Sequence, residues 1–90
     1  MGIRIEFFGV ARQRTGTAFV LVPVEGTVAL GVLLGQLAEQ FPNWAAECLD
    51  GDRIRPSYII NVDGQRFVHD PREPIGDHTS LLIMSADAGG

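Results

Sequence analysis

Apolar and polar positions alternate through residues 3–8, IRIEFF, with Ile3, Ile5 and Phe7 on one face and Arg4, Glu6 and Phe8 on the other. This period of two predicts a half-buried strand. GVARQRTG, bounded by Gly9 and Gly16, has no apolar period and reads as a polar loop. Thr17 to Val24, TAFVLVPV, is rich in β-branched and aromatic residues and predicts a second strand that pairs with the first as a hairpin, its regular pairing ending at Pro23. The period then changes. Leu30, Leu33, Leu34, Leu37, Ala38 and Phe41 form one stripe at helical spacing within GTVALGVLLGQLAEQFP, and Pro42 stops it. Thr27 stands where an N-cap is expected, although Leu30 occupies the place where a capping box carries Glu. Gly31 and Gly35 each cost about 1 kcal/mol of helix propensity against Ala, and their spacing predicts close packing of the helix on a sheet.

Residues 43–56 read as a connection, with a short helical turn at Trp44 to Leu49 and a turn at Asp50-Gly51-Asp52. SYIINVDGQRFVH predicts a strand, a tight turn at Asp63-Gly64 and a short second strand. DPREPIGDH holds two prolines and a Gly-Asp turn, and TSLLIM is the last strand. Its unbroken apolar run predicts a central place with a neighbour on each side. The resulting order is β-β-α-β-β-β: an α+β domain with one main helix across a mixed sheet of four to five strands.

Composition narrows the function classes. Ninety residues, 46% of them apolar, make one domain with a core that needs no staples. The lone Cys48 excludes an internal disulfide and reads as an apolar filler. A net charge of −4 without any basic block argues against nucleic acid as a partner. No apolar run approaches the roughly 20 residues of a membrane span. The opening MGIRIEFF lacks the basic and apolar regions of a leader, and Glu6 stands where a myristoylation motif beginning at Gly2 wants Ser or Thr. These features predict a soluble cytoplasmic protein. All seven basic residues are arginines, so no side-chain amine is present to accept an acyl group, and lysine-linked chains of the protein with itself are excluded.

Catalytic equipment is thin. His69 and His78 fall in turn-like segments without ligand spacing to Cys48, and Asp50 and Asp52 belong to a turn, so no metal site is expected. Asp63, Asp70, Glu73 and Asp77 are scattered among turns. Phosphate-binding loops, nucleophile elbows and dinucleotide fingerprints are absent. The sequence therefore does not read as a self-contained enzyme. What remains is its ending, SADAGG, where two glycines follow a buried strand without contributing to a core.

That ending gains meaning in its context. FFGVARQRTG, GTVALGVLLGQLAEQFP, RPSYIINVDGQ, PIGDHTSLLI and the final AGG, in this order and spacing, resemble the MoaD/ThiS family of ubiquitin-like sulfur carriers over essentially the full length. The chain departs from the family in having His78 where a Glu often stands, and Ser85 and Ala86 where many members carry a proline. The resemblance implies a ubiquitin-like β-grasp domain over residues 1–86, with the last strand beside the first, and a flexible tail over 87–90. It implies that Gly90 is the acceptor of adenylation and that Gly89 lets the tail enter a narrow channel. An activating enzyme of the ubiquitin-activating type joins the carboxylate to AMP, consuming ATP. A persulfide or sulfide then displaces AMP and leaves a thiocarboxylate. The protein itself holds no cofactor and acts as a carrier for a larger catalytic subunit, most often that of molybdopterin synthase. If the first and last strands are neighbours, Phe8, Leu82 and Met84 form an apolar patch beside the tail, where the family docks its partner, with Asp87 and Ala88 continuing the surface. Carriers for thiamine or cysteine synthesis share this pattern, as do modifiers joined through the terminal glycine to lysines of other proteins. A β-grasp binding module without acyl chemistry is the third alternative.

Overall fold

The computed structural model describes residues 2–87. Its centre is a five-stranded mixed sheet built from β1 (Gly2–Phe7), β2 (Phe19–Pro23), β6 (Tyr58–Val62), β7 (Arg66–Val68) and β9 (Ser80–Ser85), in the order β2-β1-β9-β6-β7. β1 and β9 run parallel, Phe7 opposite Ile83, and every other pair is antiparallel. The apolar run of β9 thus has the central place expected of it. The opening hairpin also forms, with Gly2 opposite Pro23 as the last pair.

Two short ribbons flank the sheet. β3 (Thr27–Ala29) pairs with β8 (Pro74–Gly76), and β4 (Leu49–Asp50) pairs with β5 (Arg53–Ile54) around the expected Asp50-Gly51-Asp52 turn. β3 corrects the sequence reading, because Thr27 lies in a strand and caps no helix. α2 (Leu30–Gln40) starts three residues later, after Ala29. Its first donors are served by another segment: the Leu30 and Gly31 N–H groups donate to the carbonyls of Glu73 and Pro71 at 2.9 and 2.8 Å. A helix end satisfied by tertiary contacts needs no capping side chain, so its start carries no local signal.

The supposed loop after β1 is also a helix, α1 (Val10–Thr15). Gly9, at φ 62°, turns the chain out of the strand, and Gly16, left-handed at φ 76°, closes the helix by donating to the Arg12 carbonyl. Only Ala11 is buried, so this helix has no apolar stripe to betray it. α3 (Pro42–Cys48) extends the short turn expected there, with Pro42 in its first turn, where the missing N–H costs nothing.

The stripe on α2 meets the inner face of the sheet. Leu30, Leu33, Leu34 and Leu37 are fully buried in one core with Ile3, Ile5, Ile60 and Ile83. Phe7 joins α2 to α3 through edge contacts with Phe41 and Trp44, ring centroids 5.6 and 6.0 Å apart. Gly31 does permit a close approach, but its neighbours are Pro71 and Asp52 in flanking segments instead of the sheet, and Gly35 faces open space.

Candidate functional site

The outer face of the sheet is where the sequence-predicted patch falls. Alternation along β9 sends Leu81 and Ile83 into the core and leaves Leu82 and Met84 half-buried on the other side. The Phe8 N–H donates to the Ile83 carbonyl at 3.0 Å, one step beyond the last β1–β9 pair, which brings Phe8 level with Met84. Phe8 is 54% exposed. The three expected patch residues therefore come together, because the first and last strands are neighbours.

The patch is wider than the sequence reading. Ile59 lies directly opposite Met84, Asn61 opposite Leu82, and Phe67, 59% exposed, opposite Asn61. Tyr58, Ile60 and Val68 point inward, so strand alternation puts Ile59 and Phe67 on the outward face. Their place beside Met84 and Leu82 is a matter of sheet order, which local alternation does not carry. Glu6 stands level with Leu82 on the β1 side. Asp63 lies at the far end of this face, where its carboxylate accepts the Ser80 N–H at 2.8 Å.

β9 holds the chain in the sheet almost to its end. Ser85 pairs with Tyr58, and the Ala86 N–H donates to the Ser57 carbonyl at 2.8 Å. Asp87 is exposed. Ala88, Gly89 and Gly90, the remaining site residues expected from the sequence, lie outside the described residues.

Two titratable groups on the inner side, Cys48 and Tyr58, keep their protons at neutral pH. Cys48, the last residue of α3, is buried, and burial, aided by the nearby Glu47 carboxylate, pushes its thiol up to about 11. Tyr58 donates its hydroxyl to Glu47 at 2.7 Å, and that bond, with burial, pushes the phenol up to about 12. Thiolates carry the nucleophilicity of cysteine, so Cys48 acts as packing. His69 and His78 are exposed. Among the described residues no group of three His, Cys, Asp or Glu is placed to hold a metal ion, and no helix is long and apolar enough to cross a membrane.

A mixed five-stranded sheet with parallel first and last strands, grasping one main helix, defines the ubiquitin-like β-grasp class. Neither a protein-family model nor a curated protein matches the sequence. Solved structures do match. Small archaeal modifier protein SAMP1 from Haloferax volcanii superposes with a TM-score of 0.81 at 18% identity over 100% of both chains. A Pyrococcus furiosus protein provisionally described as molybdopterin converting factor, subunit 1, superposes with a TM-score of 0.75 at 16% identity over 94% of this chain and 97% of its own. The fold is accordingly the ubiquitin-like β-grasp of the MoaD/ThiS type that the sequence resembles.

Proposed function

We propose that this protein is a ubiquitin-like sulfur carrier whose Gly90 carboxylate is activated and converted to a thiocarboxylate. The observation that carries the reading is the junction at the end of β9. The last strand and the Ala86 N–H that follows it are hydrogen-bonded into the sheet beside an apolar patch of Phe8, Met84 and Ile59, and Ala88, Gly89 and Gly90 follow Asp87 in the sequence. A partner seated on that patch would receive the tail from a fixed origin, so little entropy would be spent in searching for the channel.

In the proposed chemistry the Gly90 carboxylate attacks the α-phosphate of ATP and pyrophosphate leaves. Sulfide then adds to the acyl carbon and AMP departs with the bonding pair, leaving a thiocarboxylate. Without Cβ atoms, Gly89 and Gly90 leave that carbon open to attack and admit backbone angles closed to other residues. The adenylating enzyme supplies the catalysis, and the carrier supplies the acyl group. Molybdopterin synthesis is the proposed destination, supported by the family resemblance and the description of the Pyrococcus furiosus neighbour. The likeness to small archaeal modifier protein 1 favours a second reading, in which Gly90 is transferred to lysines of other proteins.

Intact mass of the untagged chain, after incubation with an adenylating enzyme, ATP and sulfide, tests the proposal. One oxygen should be replaced by sulfur, and deletion of Gly90 should abolish the exchange. An unchanged mass with an enzyme that adenylates other carriers overturns it. Phe8→Asp with Met84→Asp should weaken capture by the adenylating enzyme roughly tenfold or more, as expected when charges enter an apolar docking core, while thermal unfolding stays near wild type. Conjugates on lysines of other proteins, without sulfur delivery to a small molecule, would favour the modifier reading.

A further inference from the structure

A second surface feature is not used by the tail chemistry. A groove of about 520 Å³ opens between the β4–β5 hairpin and the start of β6, lined by Ile54, Pro56, Tyr58 and Ile59 on its apolar side. Clefts that hold small ligands or short peptide stretches fall in the range of roughly 300–1,000 Å³. Arg53, Arg55 and His69 stand around the same space.

The charges distinguish this groove from the rest of the surface. Four of the seven arginines sit in ion pairs, Arg4 with Glu6, Arg14 with Glu47, Arg66 with Glu73 and Arg72 with Asp70. Arg53 and Arg55 are two of the three that form no ion pair within the described residues, and both line the groove. Asp50 lies opposite Arg53 across the hairpin and also lines it, yet makes no ion pair with it. Asp70, the other carboxylate that feels Arg53, is already engaged by the Arg72 guanidinium at 3.2 and 3.3 Å. A protein of net charge −4 thus keeps beside one apolar wall two guanidiniums that form no ion pair among the described residues.

We propose that this groove binds an acidic, apolar-anchored segment of a partner protein. A bulky apolar side chain would lie against Ile54 and Ile59, and flanking Asp or Glu side chains would take paired hydrogen bonds from Arg53 and Arg55, the geometry that guanidinium and carboxylate favour. A simple inorganic anion would leave the apolar wall unused, and a nucleic acid would meet two neighbouring cations on a protein of net charge −4. Because Ile59 also stands opposite Met84, the bound segment would reach the patch at the root of the tail. The groove and the patch are thus neighbours, but binding in the groove through Arg53 and Arg55 requires no activation of Gly90.

The test is a random peptide display library panned on the full chain, with the double variant Arg53→Glu, Arg55→Glu as counter-selection. Enriched peptides should combine Asp or Glu with a large apolar residue. Synthetic copies should shift the backbone amide signals of residues 53–59, bind more weakly as salt is raised, and lose roughly tenfold or more in affinity for the double variant. Enrichment of peptides without acidic residues, equal binding to the variant, or failure to enrich any peptide over the variant overturns the proposal. Should the charge reversal impair folding, Arg53→Gln with Arg55→Gln serves the same comparison. Sulfur exchange at Gly90 should proceed equally in wild type and double variant. Its failure in both would remove the carrier reading and leave the groove standing.

Discussion

Gly31 and Gly35 lie one turn apart on α2, and an added methyl group would have opposite effects at the two positions. A Cβ at Gly31 would come 2.9 Å from the Pro71 Cβ and 3.2 Å from the Pro71 carbonyl oxygen, in a ring and backbone that have little room to yield. Gly31→Ala should cost about 1–3 kcal/mol, the usual penalty of overpacking. Nothing lies within 4 Å of a Cβ at Gly35. Gly35→Ala should stabilise by up to about 1 kcal/mol through helix propensity and a less flexible unfolded chain. Urea denaturation of the two variants checks both signs. Titration of buried groups gives another prediction at this scale. The folded chain holds the Tyr58 proton to about 12 against an ordinary 10.0, through Glu47 and burial, and the Cys48 proton to about 11 against 9.0, through burial and Glu47. A raised pKa means that the folded state binds the proton more tightly, so the associated stability is complete below about pH 9 and is lost as the pH rises through 12. Denaturation midpoints should fall across that window, and Tyr58→Phe should remove the Tyr58 share of the fall.

At the scale of elements, the β6–β7 turn illustrates local coding at its strongest. Asp63 and Gly64 both take positive φ, 55° and 70°, which Asp tolerates and Gly accepts freely. The Asp63 carboxylate also accepts the Ser80 N–H, tying the turn to β9. Asp63→Ala should destabilise by about 1–2 kcal/mol through loss of that bond and of the left-handed preference. Asp63→Asn, which retains both an acceptor oxygen and tolerance of that conformation, should lose less. Equilibrium unfolding separates the two. Elements with such local signals were legible in the sequence: this turn, the alternating β1, the leucine stripe of α2 and the apolar β9. Those defined by distant partners were not. β3 exists because Ala29 meets Pro74, and α2 begins where carbonyls from residues 71 and 73 receive its first donors. α1 buries only Ala11 and so hides in a polar stretch. The candidate site divides in the same way. Phe8, Leu82 and Met84 follow from alternation and one strand pairing, whereas Ile59 and Phe67 enter only when the order of the whole sheet is known.

For the whole molecule, the direction of the strands decides where partners can act. β1 and β9 are parallel and β6 runs against them, so the end of β1, the end of β9 and the start of β6 lie at one pole. Phe8, Met84 and Ile59 gather there, with the Arg53–Arg55 groove adjoining and the hydrogen bond from Ala86 N–H to the Ser57 carbonyl beside them. The parallel pairing also has a mechanical meaning. Gly2 begins β1 at the opposite pole from the one where Ser85 ends β9. Tension between the two ends of the chain would run along these strands and load their rungs together, among them Arg4 N–H to the Thr79 carbonyl and Phe8 N–H to the Ile83 carbonyl. A ladder pulled in shear yields only when many bonds fail at once, whereas one pulled open from its edge gives way rung by rung. A body anchored at its first strand would therefore resist most strongly when hauled by its tail.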